Sequence, residues 1–424
     1  MGDNTINIGS ITNAVFGTEA GTKPYNMYLC RKLTEALRDY NPNVKEFLNR
    51  IKEADKTNWE TIPRYYKIAF PNIISSFVGV IGVLLQKLIA SGYEASKSNS
   101  SKNAKDYLEI CIATVQRTLQ LLCYSFISKL WDYKKDKNFE LTGDQSAILE
   151  NFFNTYPELN ISEYADLLKT LVNIFDEQKI VYPFSEFKND CLKDESGFIK
   201  ACKNIEAKSK QDSGQLKLSI TDEAERELTE ILTTVNFLAD YKMVSVNEIS
   251  YEALRNNKAQ YIHSYTLLGT DDDNDTDTQK LYSSKYKYDS LPISSNAVLI
   301  FKNKYQEGLN LFPFIIDVNA LTGQTEAKIC FYTYFEEGKK KLTYSNIAQI
   351  SSDKNDSSND LSDPSYVVIQ YNKDVEDDMN ANTENDITKL KEDSKKYNNL
   401  QLNTVYKIFE NAKKEILYNS AVNT

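Results

Sequence analysis

The chain has 424 residues, 41% of them hydrophobic, with 50 basic against 60 acidic side chains and a net charge of −10. The apolar content is ample for a packed core and excludes a wholly disordered chain; the acidic balance argues against non-specific nucleic-acid binding, which needs a positive face to displace counterions. One histidine, His263, and six cysteines (30, 111, 123, 191, 202 and 330) with no CxxC pair leave little material for a zinc site or a Ser/Cys–His nucleophile.

At about 150 residues per domain, the length suggests two or three units. The opening residues MGDNTINIGS have no basic stretch followed by an apolar one, so no secretory signal is expected, and Ile6 stands where a myristoylation site wants Ser or Thr. Scattered cysteines then read as free buried thiols in the reducing cytoplasm.

Tyr28 to Ile51 supports one or two short helices broken near Pro42. The run Ile73–Leu85, ended by Gln86 and Lys87, is 13 residues long. A membrane-spanning helix needs roughly 20, so a core helix is expected, with Pro71 in its first turn and Gly92 at its stop. Membrane insertion through residues 73–85 is the alternative. Between Ala104 and Trp131 the residues Leu108, Cys111, Ile112, Val115, Leu119, Leu122, Cys123, Phe126 and Leu130 recur at helical spacing. Ser162 is placed to cap a further helix carrying Leu167, Leu168, Leu171, Ile174 and Phe175. Another follows Thr221 or Asp222, with an acidic first turn and Leu228, Ile231, Leu232, Val235 and Leu238 as its buried stripe.

After about residue 250 the period changes. Val298–Phe301, Leu311–Ile316, Ile329–Phe335, Leu342–Tyr344 and Tyr366–Tyr371 are short, β-branched or aromatic, and bounded by turn residues. No helix-length pattern intervenes, so the sheet should be antiparallel. A charged helix near Asn403–Leu417 closes the chain. Glu94–Asn103, Thr270–Lys280, Ser351–Pro364 and Lys373–Lys396 read as solvated or disordered. The expected fold class is therefore α+β: a helical domain over 1–250, a smaller antiparallel β domain over 251–375, and an acidic linker with a C-terminal helix over 376–424. Val405, Ile408, Phe409 and Ile416 form the apolar face of that helix, either docked on the β domain or handed to a partner.

Chemistry has few footholds. In the run Asp271–Asp277, the residues Asp271, Asp273 and Asp275 fall at calcium-loop positions one, three and five. Thr276 stands where the loop needs Gly, and Tyr282 where it needs Glu, so a solvated loop with weak cation binding is expected. No GxxxxGK[ST], GxGxxG after a strand, GxSxG or HExxH occurs. No cofactor is expected.

The stretch from Arg255-Asn256 to His263, together with the long-helix N-terminal half, resembles the HEPN superfamily of bacterial conflict proteins. Active members carry Arg, often followed by a polar residue, then His after four to six residues; here seven residues separate Arg255 from His263. Bacterial defence-associated proteins show a looser similarity through Phe70-Pro71, Phe237-Leu238-Ala239-Asp240-Tyr241 and Leu309-Asn310-Leu311-Phe312-Pro313. In that arrangement the Arg–His motif would precede the helix holding Phe237, yet Ala201–Ser213 contains neither residue. The resemblance implies a lost nuclease centre and a non-enzymatic partner-binding or regulatory subunit of a defence system. Its partner would be another protein, such as a protease or effector. A divergent ribonuclease using Arg255 and His263 is the runner-up.

Overall fold

The computed structural model describes residues 26–98, 101–137, 139–210, 219–252, 255, 260–268, 284–288, 296–303, 307–324, 327–346, 365–373 and 394–418. Helices dominate the first part: α1 (Met27–Ala36), α2 (Pro42–Glu53), α3 (Pro63–Ser76), α4 (Gly79–Ser98), α5 (Ser101–Asp136), α6 (Gly143–Asn154), α7 (Ile161–Gln178), α8 (Gly197–Ser209) and α9 (Ser219–Thr234). Two small antiparallel sheets and a C-terminal helix, α10 (Ser394–Leu417), follow. The α+β class expected from the change of periodicity is the class observed.

Contacts divide the chain into two compact units that interleave along it. The first comprises the described residues of 1–119, 186–243 and 268–281, the second those of 120–185, 244–267 and 282–424. The division falls inside α5 rather than near residue 250, and strands begin earlier than the sequence pattern suggests, at Lys242.

In the first unit, α1 packs on α9, α2 and α3; α9 packs on α8, and α3 on α4. The apolar run 73–85 is not one helix. Phe77 turns extended at φ −77°, ψ 155°, ending α3, and α4 begins two residues later. Ile73, Ile74, Val80, Ile81, Leu84 and Leu85 are all buried in the protein. Pro71 lies inside α3, whose first turn is taken by Pro63, and Gly92 lies within α4 instead of ending it. The backbone at 94–98 and 101–103 is helical too, where a solvated stretch was expected; Ala, Glu and Lys there are good helix formers. By length and composition α5 could cross a membrane over Ala104–Asp136, but 72% of its apolar window is buried, as in a core helix.

In the second unit, α7 starts at a capping box. The Asn160 side chain accepts from the Glu163 amide (3.0 Å) and Glu163 returns a bond to the Asn160 amide (2.8 Å), so Asn160 is the cap and Ser162 lies inside the helix. The strands are β1 (Lys242–Glu252), β2 (Gln260–Leu267), β3 (Ser284–Tyr288), β4 (Val298–Phe301), β5 (Leu309–Asn310), β6 (Ile315–Asp317), β7 (Ile329–Glu336), β8 (Lys341–Asn346) and β9 (Tyr366–Gln370). They form one sheet ordered β3-β2-β1-β4-β5 and another ordered β6-β7-β8-β9. Of the expected strand Leu311–Ile316 only Ile315 and Ile316 are strand, because residues 312–314 make a turn between β5 and β6.

An aromatic core joins helices and the second sheet. Phe409 of α10 sits 4.8 Å from Tyr332, 5.6 Å from Phe153 and 5.7 Å from Phe335, ring centre to ring centre. The Tyr124 hydroxyl donates to the Tyr332 carbonyl and lies 3.2 Å from the Tyr164 hydroxyl. Asp317, 1% exposed, accepts from Ser245 Oγ (2.7 Å) and from the amides of Asn319 (3.1 Å), Ala320 (3.2 Å) and Lys328 (2.9 Å).

Candidate functional site

The β1–β2 hairpin carries the Arg255–His263 pair. Cross-strand partners in an antiparallel ladder share a face. Val244, Val246, Ile249 and Tyr251 therefore lie opposite Leu267, Tyr265, His263 and Tyr261, with the register shifting between Val246 and Glu248. This is the apolar face: Val244, Val246 and Tyr265 form a buried cluster with Ala297, Leu299 and Phe301. His263 sits on it in β2, a strand flanked on both sides by β1 and β3. It is fully buried, and burial pushes its pKa below the ordinary 6.5, so the imidazole is held neutral at physiological pH. Arg255 is exposed in the hairpin turn. Three register rows, Ser250–Ile262, Tyr251–Tyr261 and Glu252–Gln260, stand between the His263 row and that turn, about 10 Å of strand. The hairpin thus sets the arginine at its tip and the histidine within the sheet.

Asp271, Asp273 and Asp275 lie outside the described residues. Among the described residues, no group of three or more His, Cys, Asp or Glu is arranged to hold a metal ion. All six cysteines are free; five are buried and Cys191 is half-buried. Burial pushes the thiols of Cys30, Cys111 and Cys123 well up, Cys191 to about 11 and Cys202 to about 12, so these five groups stay protonated.

A polar cluster in the core of the first unit was not foreseen from the sequence. Glu225 of α9, 6% exposed, accepts from the Leu29 amide at 2.9 Å. That amide belongs to the first turn of α1, whose own cap residue, Asn26, makes no side-chain cap because its amide oxygen receives the Tyr107 hydroxyl. Glu225 thus supplies the missing acceptor, and its negative charge suits the helix N-terminus. Burial, reinforced by this carboxylate, pushes Cys30, Tyr66, Tyr107 and Cys111 well up. The cluster is a capping device whose neighbours are held uncharged.

The feature with open chemistry lies at the ends of α1 and α2. Helix α2 stops in a paired turn: the Lys56 amide donates to the Ile51 carbonyl (3.2 Å) and the Asp55 amide to the Lys52 carbonyl (3.1 Å), with Asp55 left-handed at φ 49°. The turn swings the chain back toward Trp59 and leaves a recess of about 410 Å³. Leu48, Ile51 and Trp59 line it, Trp59 braced edge-on by Phe47 at 5.1 Å. Arg38, Lys52 and Lys56 stand around it, and among the described residues none of the three side chains has an ion pair or hydrogen bond. Glu35, also at the recess, is engaged by Arg31 (3.3 Å) and Lys32 (3.8 Å).

No protein-family profile, curated protein or solved structure matches this chain.

Proposed function

We propose that the chain is a non-catalytic partner-binding protein, a regulatory subunit that acts through protein contacts in the cytoplasm and needs no cofactor. The observation that carries this reading is the contrast between its interior and its surface. Five of the six thiols, the core phenols of Tyr66, Tyr107, Tyr332 and Tyr344 and the single imidazole are buried, and burial favours the neutral forms of these phenols and of the imidazole, which disfavours nucleophilic and acid–base roles for them. Uncompensated cations meanwhile gather around an apolar recess on the outside, the surface chemistry of recognition. The resemblance to HEPN-like conflict modules supports setting this role in a bacterial defence system.

The test is incubation of the purified full chain with mixed RNAs, beside His263→Ala and Arg255→Ala. The proposal expects no cleavage above a buffer control in any of the three. Cleavage by the wild type that disappears in either variant overturns it in favour of a ribonuclease.

A further inference from the structure

Resting on the partner-binding reading, we infer that the recess between α1 and α2 receives the C-terminal residue of a partner polypeptide, an apolar side chain with its free α-carboxylate. The charge balance sets the ligand's charge. Arg38, Lys52 and Lys56 bring three positive charges and Asp55 removes one, while Glu35 is already offset by Arg31 and Lys32. The C-terminal ends of α1 and α2 each carry roughly half a negative charge. About one positive charge is left facing the recess, which suits a monoanion better than a phosphate dianion. The lining sets the rest of the ligand. Leu48, Ile51 and Trp59 offer apolar contact beneath the cations, so a carboxylate held by Arg38 and Lys56 would place an aliphatic side chain downward. A volume of about 410 Å³ is of the size that takes a small group. Asn49 and Thr57, also at the recess, supply donors and acceptors for the peptide bond that follows, which a bare organic acid would leave unused.

The experiment is calorimetric titration of the full chain with a short peptide ending in leucine as the free acid, with the same peptide closed as its amide, and with N-acetyl-leucine. Saturable binding of the acid is expected, with the amide about tenfold weaker and N-acetyl-leucine weaker than the peptide. Arg38→Ala and Lys56→Ala should each weaken the acid several-fold without changing the amide. Asp55→Asn, which removes the opposing charge and tolerates the left-handed conformation, should tighten it. Far-UV circular dichroism confirms that these surface variants stay folded. Equal binding of acid and amide, indifference to all three substitutions, or no saturation up to about 5 mM overturns the inference. N-acetyl-leucine binding as tightly as the peptide overturns the polypeptide source. The RNA assay reads the partner-binding proposal separately, so the two can fail independently.

Discussion

Replacing Phe409 by alanine tests how firmly α10 is held in the second unit. The ring is fully buried and faces Tyr332, Phe153, Phe335 and Phe314 at 4.8, 5.6, 5.7 and 6.2 Å. A buried Phe→Ala change costs about 3–5 kcal/mol, more where the cavity cannot collapse. Collapse is resisted here, because Tyr332 is tied through its hydroxyl to the Phe152 carbonyl (3.3 Å) and through its own carbonyl to Tyr124. A loss of about 4 kcal/mol is therefore expected, lowering Tm by roughly 10 °C for a unit of this size. Trp131 Nε1 to Glu415 (2.6 Å), Lys134 Nζ to the Ile416 carbonyl (2.9 Å) and the Lys413–Glu337 pair (2.8 Å) keep the helix from simply drifting off. Ile408→Ala is the control: that side chain is only half-buried and should cost about 1 kcal/mol. Urea and thermal unfolding followed by circular dichroism measure both. If Phe409→Ala costs less than about 1 kcal/mol and matches Ile408→Ala, the helix is not docked in solution, and a terminal helix handed to a partner becomes the better account.

Asp317→Ala should cost about 3–5 kcal/mol in urea unfolding, because three backbone amides and the Ser245 hydroxyl lose their acceptor; Asp317→Asn, keeping one oxygen, should cost less than half of that, and equal losses would refute the hub. Burial lowers the His263 pKa below 6.5, so the unfolded chain binds more protons just below that pH. Stability is then complete above pH 6.5 and falls as pH drops from there toward the folded value. His263→Gln should flatten the stability profile just below pH 6.5, and a variant that keeps the wild-type slope there refutes the assignment. In thiol titration at pH 8, Cys191 should react first and slowly, the other five only after denaturation; rapid labelling of Cys30 or Cys111 in the native protein would contradict their burial.

Periodicity carried the helices because apolar side chains recur at helical spacing along them, a pattern that stays readable in α5 although Thr118–Ser128 is buried all round. In α5, Leu108, Cys111, Val115, Leu119, Leu122, Cys123, Phe126 and Leu130 fall on the expected stripe and are buried. Strands such as β7, buried on both faces, were legible instead as short apolar and aromatic runs bounded by turn residues. The β1–β2 hairpin was not, since a bulge after Val246 breaks the two-residue period of β1. The Ile73–Leu85 run misled in the opposite sense: composition reports burial, and burial of two successive helices looks the same as burial of one. The candidate recess was the least visible feature. It depends on a helix ending in a left-handed Asp55 instead of the glycine that usually marks such a stop, so no local signal announces that Lys52, Lys56 and Trp59 will meet Arg38. Each of those residues alone reads as an ordinary surface charge or core aromatic. The turn makes them a site, and a turn written in a non-glycine residue is what single-sequence reasoning passes over.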